Sequence, residues 1–228
     1  MTRESEARPE RTTGGDVMRP IRESYDHIAD EYARRIYDEL RHKPADRELL
    51  LRFAEALRGR GPICDLGCGP GQVGRFLRDA GAEAFGLDLS RGMLVEARRL
   101  NPDVAFVQAD MTALSLVDGA LAGIAAFYAI VNLPDAPLAR ALREMARVLQ
   151  PNGFLLLAFH AGRQVLREDE IWGRRIAMDF FLFDPAEIGR LLEAAGLLVE
   201  EVREREPYAP EVEYQSRRAY ILARKPAG

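Results

Sequence analysis

The chain has 228 residues, of which 47% are hydrophobic, and its formal net charge is −4. This length fits one large domain or two small ones with a buried core, and the mixed charges exclude the basic surface typical of nucleic-acid-binding proteins. No apolar run reaches the ~18 residues of a membrane span, and the N-terminus has no apolar signal core. We therefore expect a cytoplasmic protein that binds neither nucleic acid nor membrane.

The N-terminal part is predicted to consist of a polar tail followed by two helices. Residues 1–19 are rich in charged residues and lack periodicity, which predicts a disordered tail. Apolar residues at helical spacing predict a first helix over residues 21–40 and a second over residues 46–57, which glycines at 59 and 61 would end.

Strands and helices alternate through the middle of the chain. Strands are predicted at residues 63–65, 83–88, 104–108, 121–128 and 154–159. Helices are predicted from residue 72, over 92–100 with Ser90 as N-cap, and over 136–149. This alternation indicates an α/β fold with a mostly parallel sheet and right-handed crossovers.

The last third departs from this alternation. Alternating apolar residues within residues 168–183, mainly at positions 176, 178, 180 and 182, predict a strand-like insertion or flap after the fifth strand. Asp184 as N-cap and Pro185 at the first helical position predict a helix that reaches residue 195. Strands at 198–202 and 219–223 have no helix between them, so we expect them to pair antiparallel.

Residues 63–74 read ICDLGCGPGQVG and form the most informative motif. A strand ends in Asp65, glycines follow at alternate positions 67, 69 and 71, and an amphipathic helix begins directly afterwards. Glycine allows φ > 0 and close approach of the backbone to a ligand. The carboxyl end of a strand beside a helix N-terminus is where doubly wound α/β proteins bind nucleotide-like cofactors.

Two cofactors are compatible with this motif. The pattern G-x-G-x-x-G with Asp88, which lies 19 residues after Gly69, matches the dinucleotide fingerprint. The pattern D-x-G-x-G-x-G instead places Asp65 at the strand end, where a carboxylate suits an ammonium group and would repel a pyrophosphate. The second interpretation favours S-adenosylmethionine.

The motif Asp65-Leu66-Gly67-Cys68-Gly69-Pro70-Gly71 resembles the first motif of class I S-adenosylmethionine-dependent methyltransferases, in particular the small-molecule type with a domain of the methyltransferase 11/25 kind. Later segments keep the order and spacing of that family over residues 20–225. The resemblance implies a Rossmann-like, doubly wound, seven-stranded and mostly parallel sheet whose last strand is antiparallel. It further implies a single domain with a helical lid over residues 20–58 and a core over residues 59–228.

The same resemblance implies an enzyme (EC 2.1.1.-) that moves a methyl group in line from S-adenosylmethionine to a small-molecule acceptor and leaves S-adenosylhomocysteine. Three acids, Asp65, Asp88 and Asp110, end successive strands and are expected at the ligand crevice. Asp88 can accept from both ribose hydroxyls, and by resemblance Asp110 contacts the adenine amine. The other expected cofactor contacts are Tyr25, Tyr32, Gly67, Cys68, Gly69, Leu89, Met93, Met111 and Phe127.

Tyr25 and Tyr32 lie on one helical face, in a Y-D-x-I-A-x-x-Y pattern that resembles the lid of small-molecule methyltransferases. The competing interpretation is an aromatic stripe that packs on the core. In-line transfer from a sulfonium depends on alignment and exclusion of water, so a general base is needed only for an acceptor of high pKa. His160 and Tyr128 are weak candidates for such a base, and Asn132 is a candidate acceptor contact.

Several alternatives remain open from the residues. Residues 127–134 lack N-P-P-Y or D-P-P-Y, which argues against amino methylation of nucleic acids and of protein glutamine. An NAD-dependent oxidoreductase would leave Asp65 and Asp110 unexplained, and a non-catalytic methyltransferase-like binding module is the third hypothesis. Cys64 and Cys68 are expected to be reduced and buried, with no metal site. The acceptor and the oligomeric state are open.

Overall fold

The computed structural model describes residues 17–227, so most of the predicted tail lies outside the described residues. The first helix begins at Met18, within the last residues assigned to that tail. The six helices of the described residues are α1 (Met18–Ile36), α2 (Pro44–Ala56), α3 (Gln72–Asp79), α4 (Arg91–Leu100), α5 (Asp135–Val148) and α6 (Pro185–Ala194), with a 3₁₀ turn at Glu39–His42. The strands are β1 (Ile63–Leu66), β2 (Ala84–Asp88), β3 (Ala105–Gln108), β4 (Leu121–Phe127), β5 (Leu149–His160), β6 (Val165–Ile171), β7 (Arg174–Phe181), β8 (Leu198–Arg205) and β9 (Arg218–Arg224).

Seven strands form one sheet in the order β3-β2-β1-β4-β5-β9-β8. The first five are parallel, and β9 pairs antiparallel with both β5 and β8. The predicted seven-stranded, mostly parallel sheet with a reversed last strand is therefore confirmed. The strand order changes direction between β1 and β4, and this switch point creates a crevice at the carboxyl ends of those strands.

The sheet is covered on both faces. Strand β4 is buried along almost its whole length, as is typical of a central parallel strand. Helices α5 and α6 pack on one face and α2 and α3 on the other. A Cβ at Gly123 would lie 2.8 Å from Phe53 Cζ, so the glycine in β4 lets α2 approach the sheet closely.

Local capping signals gave two helix starts correctly. The Ser90 hydroxyl accepts a hydrogen bond from the Met93 amide at the start of α4. The Asp184 carboxylate accepts from the Ala186 amide, and Pro185 occupies the first position of α6. Each cap satisfies an amide that has no partner within its helix, which explains why these boundaries were predictable.

The predicted flap is an antiparallel hairpin of β6 and β7, separate from the main sheet. It packs against α1 through apolar side chains and through polar contacts. The Ser24 hydroxyl accepts from the Ala177 amide at 2.9 Å, and Arg174 donates to both carboxylate oxygens of Asp30. The hairpin therefore holds α1 in place. None of the described helices is long and apolar enough to cross a membrane.

Candidate active site

A pocket lies at the carboxyl ends of β1, β2 and β4, with α1 along one side. Its position is the crevice that the strand order creates. The residues that line it are Met18, Ile21, Tyr25, Tyr32, Gly67, Cys68, Gly69, Gln72, Asp88, Leu89, Met93, Met111, Phe127, Tyr128, Ala129, Asn132 and Leu133.

The glycine loop adopts a backbone that other residues rarely take. Gly67, Gly69 and Gly71 have φ of 69°, 51° and 86°. A Cβ on Gly67 would lie 2.6 Å from the Cβ of Ala129, in the segment after β4, whereas a Cβ on Gly71 would lie 2.6 Å from Phe106 Cζ. Gly67 thus keeps the pocket wall open, and Gly71 allows packing beneath the loop.

Asp65 lies beneath the loop and does not line the pocket. Its side chain is buried, and Oδ2 accepts from the Gly74 amide at 2.7 Å. Burial raises the pKa of Asp65 to about 7, against the effect of the Gly74 hydrogen bond and with a contribution from Asp88. Asp65, which the sequence predicts to face the methionine end of the cofactor, holds the first turn of α3 with its carboxylate.

Asp88 is the strand-end acid that faces the pocket. Its Oδ2 accepts from the Gly69 amide and its Oδ1 from the Ser90 amide, both at 2.8 Å. Burial raises the pKa of Asp88 to about 6, against the two amide hydrogen bonds and with a contribution from the charge of Asp26. This carboxylate therefore fixes the glycine loop to the end of β2 while presenting its oxygens to the pocket.

The third acid, Asp110, caps a turn instead. Its Oδ1 accepts from the amide and the hydroxyl of Thr112, and the side chain does not line the pocket. Its neighbour Met111 does line it. The geometry thus brings Met111 into the site but not the carboxylate of Asp110.

The sequence reasoning missed Gln72, which lines the pocket from the first turn of α3. Its Nε2 donates to Glu39, and its buried Oε1 has no hydrogen-bond partner among the described residues. The signal was available, because this is the polar residue that directly follows the last glycine of the loop. Met18, Ile21, Ala129 and Leu133 were also missed.

Tyr25 and Tyr32 both line the pocket, with their rings 6.1 Å apart in an edge-on arrangement. The Tyr25 hydroxyl donates to Asn132 Oδ1, and Asn132 Nδ2 donates to the Asp179 carbonyl in β7, each at 2.8 Å. Asn132 thus connects α1, the segment after β4 and the hairpin. Its side-chain amide, predicted to contact the acceptor, is used for this connection.

The two candidate bases occupy different places. Tyr128 lines the pocket with a φ of 56°, in the left-handed region, and burial raises its pKa. His160 does not line the pocket; its Nδ1 lies 2.6 Å from the Ser216 hydroxyl. Burial and the charges of Arg218 and Lys43 lower the pKa of His160 to about 3, against an opposing effect of Glu213. The structure therefore does not bring His160 to the reacting atoms.

Cys68, Leu89, Met93 and Phe127 all line the pocket, where the sequence placed them. Leu89 and Met93 follow β2, and Phe127 ends β4. Among residues 17–227 no group of three or more His, Cys, Asp or Glu side chains could hold a metal ion.

Comparison with known proteins agrees with this geometry. Residues 63–153 match the family model described as a methyltransferase domain. The chain is 36% identical over 140 residues to the malonyl-[acyl-carrier protein] O-methyltransferase of Enterobacter lignolyticus, covering 58% of this chain and 54% of that protein. It is 35% identical over 96 residues to the demethylmenaquinone methyltransferase of Beutenbergia cavernae, covering 42% and 39%.

The chain thus spans about half the length, or less, of these curated relatives. Among solved structures, the magnesium protoporphyrin IX methyltransferase of Synechocystis, with bound S-adenosylmethionine, superimposes with a TM-score of 0.70 at 18% identity. That match covers 94% of this chain and 100% of the other, and it shows a shared fold. The match over residues 63–153 and the strand order therefore show that the chain resembles a methyltransferase domain, with a pocket at its glycine loop.

Proposed function

We propose that this protein transfers a methyl group from S-adenosylmethionine to a small-molecule acceptor. The observation that carries the proposal is the partly buried Asp88 carboxylate, which is fixed to the Gly69 amide and faces a pocket edged by left-handed glycines. The names of the two curated relatives give malonyl-[acyl-carrier protein] and demethylmenaquinone as acceptors, and both names support methyl transfer as the reaction.

The residues present fit this cofactor. Each Asp88 oxygen accepts one amide hydrogen bond and has capacity for a second, which suits two ribose hydroxyls. The unpartnered Oε1 of Gln72 is an acceptor that suits an ammonium group. Leu89, Met93 and Met111 offer apolar and polarisable surfaces for a flat base.

A dinucleotide fits less well. A pyrophosphate needs cationic or amide donors, and no lysine or arginine among the described residues lines this pocket. The carboxylate that faces the pocket is instead that of Asp88, which accepts from the Gly69 amide of the loop. This charge favours a cofactor that carries a sulfonium and an ammonium.

When bound, the cofactor supplies an activated methyl group on a cationic sulfur. The residues of the chain then have to bind and orient the cofactor and the acceptor, and they have to exclude water from the pocket. Tyr25 and Tyr32 form an aromatic wall from α1, and Asn132 fixes that wall to the rest of the pocket. Alignment of this kind supplies roughly 7–11 kcal/mol in well-oriented model reactions. The proposed mechanism therefore depends on positioning, with no role for the buried His160.

The test is a calorimetric titration with S-adenosylhomocysteine, and separately with NADH. We expect micromolar binding of the former alone. Asp88→Asn should weaken it at least tenfold, or about 1.4 kcal/mol, because a charged hydrogen-bond acceptor is lost. Asp103→Asn is the matched control, since that carboxylate pairs with Arg75 on the surface. Binding of NADH in place of S-adenosylhomocysteine, or equal affinities for wild type and Asp88→Asn, would overturn the assignment.

A further inference from the structure

The pocket has two halves of different chemistry. One half comes from the glycine loop and the ends of β2 and β3, and contains Asp88. The other comes from α1 and the segment after β4, and includes Met18, Ile21, Tyr25 and Leu133. In the described part of the chain, Asp88 is the one charged side chain that lines either half. The second half, which we name the acceptor half, thus consists of apolar and aromatic groups with a few neutral polar atoms.

Two buried cations lie behind the wall of the acceptor half. Lys43 Nζ is 5.3 Å and the Arg218 guanidinium 5.6 Å from the centre of the Tyr128 ring. Both side chains are buried and already paired: Lys43 lies 2.6 Å from Glu39, and Arg218 lies 3.4 Å from Glu213. Neither cation is therefore available to an anion in the pocket.

The charges that do reach the pocket are negative. Burial and, to a smaller extent, the charge of Asp88 raise the pKa of Tyr25. The pKa of Tyr32 is also raised, by burial and by Tyr25, Glu39 and Asp88. A carboxylate entering this space would lose its hydration without gaining a cationic partner from the described lining residues, which is costly in a protein interior. A neutral molecule avoids that cost.

The side chains that form the walls of the acceptor half suit a flat ring. Tyr25, Phe127 and Tyr128 contribute aromatic surfaces, and Met18 adds a flexible thioether. The neutral polar atoms of Tyr25 and Asn132 satisfy one another and the Asp179 carbonyl. These polar atoms already have hydrogen-bond partners, so they are not arranged to bind a carboxylate.

We propose that the acceptor is a neutral aromatic molecule and that the pocket discriminates against carboxylates. This inference rests on the proposed methyltransferase function and specifies the substrate class of the same site. The pocket recognises the acceptor through apolar and ring contacts, and rejects an anion of the same shape because no lysine or arginine of residues 17–227 lines it.

The test compares two probes with one ring system, 1-naphthol and 1-naphthoate, at pH 7.5, where the first is neutral and the second ionised. Each is titrated by calorimetry into the full-length protein saturated with S-adenosylhomocysteine. We expect 1-naphthol to bind at least tenfold more tightly. Equal or tighter binding of 1-naphthoate, or binding of neither probe, would overturn the inference. Failure of S-adenosylhomocysteine itself to bind would instead overturn the proposed function.

A charge placed in the acceptor half provides the second measurement. Ile21→Lys should raise the affinity for 1-naphthoate at least tenfold, because the new ammonium supplies the missing partner. Val95→Lys is the control, since Val95 is exposed on α4 and does not line the pocket. Circular dichroism establishes that both variants fold. An unchanged affinity for 1-naphthoate in folded Ile21→Lys would refute the placement of the acceptor, and the wild-type titration decides the question if that variant does not fold.

Discussion

Glu213 holds together the buried charge cluster behind the pocket, and its removal gives the sharpest prediction for stability. Its side chain is 2% exposed. It accepts from Arg205 at 2.5 Å, and it lies 3.4 Å from Arg218 and 3.6 Å from Lys43. Three cations from different parts of the chain thus share this carboxylate, and two of them flank the ring of Tyr128.

Glu213→Gln keeps the size and one acceptor oxygen but removes the charge. Breaking a buried pair from one side typically costs about 3–5 kcal/mol, because the remaining charge loses its compensation. We expect a loss of that size in the free energy of unfolding, measured by urea denaturation at pH 7. Glu201→Gln is the matched control: Glu201 pairs with Arg52 and Arg203 at the surface, where such pairs contribute up to about 1 kcal/mol.

The same variant makes a prediction about pH. Burial opposes ionisation of Glu213, but hydrogen bonds from Arg205 and the Tyr208 amide and the charge of Arg218 lower its pKa to about 2. A carboxylate whose pKa is lowered by folding contributes stability that is complete above its unfolded pKa, near 4.5, and is lost as the pH falls towards 2. The difference between wild type and Glu213→Gln should therefore shrink over that range. A difference below about 1 kcal/mol at pH 7, or one that does not change with pH, would refute the reasoning.

Three further predictions concern the loop, the lid and the buried histidine. Gly71→Ala should lower the free energy of unfolding by about 1–3 kcal/mol more than Gly59→Ala in urea denaturation, because both residues have positive φ but only at Gly71 would the Cβ meet Phe106. Asn132→Ala should weaken S-adenosylhomocysteine binding and speed amide hydrogen exchange in α1 and β7, since both of its bridging hydrogen bonds are lost; unchanged exchange would contradict the bridge. The pKa of His160 is about 3 in the folded protein and near 6.5 in the unfolded chain. The stability that its neutral form contributes is therefore complete above pH 6.5 and is lost as the pH falls towards 3. His160→Gln should remove this part of the pH dependence.

The sheet and the glycine loop could be predicted because their signals are local. Alternating glycines after an apolar strand, a hydroxyl or carboxylate at a helix start, and two strands without a helix between them each specify a nearby backbone geometry. The strand order and the antiparallel pairing of β8 with β9 confirmed the predicted sheet. The bounds of β5 were less accurate: it begins at Leu149 and not at the predicted residue 154, because Leu149 and Phe154 both pair with β4 across a local irregularity.

The roles of the three strand-end acids could not be separated from the sequence. Asp65, Asp88 and Asp110 occupy equivalent places in the pattern, yet only Asp88 lines the pocket. The difference comes from which amide each carboxylate meets: Asp65 reaches Gly74 in the next helix, whereas Asp110 caps its own turn. Such choices depend on the backbone path after each strand, which no spacing rule encodes.

Contacts between segments that are far apart in the sequence could not be predicted from the sequence either. Tyr25 and Asn132 are 107 residues apart, and the Asn132 amide also reaches a carbonyl in β7. Each of these residues had a separate interpretation in the sequence, as a lid contact and as an acceptor contact. Their mutual hydrogen bond changes both interpretations, because it makes them structural members of one wall of the pocket.

Similarity to known proteins covers the two halves of the site to different extents. The family match covers residues 63–153, which contain the glycine loop, Asp88 and the ends of β1 to β4. Helix α1 and the hairpin lie outside that range, and the polar contacts of Ser24 and Arg174 fix them to each other. The match thus covers the cofactor half and the segment after β4, whereas the contribution of α1 to the acceptor half must be understood from the charges and contacts of this chain. For that reason the matched pair of naphthalene probes, which differ in charge but share a ring, tests a part of the site that the match covers only partly.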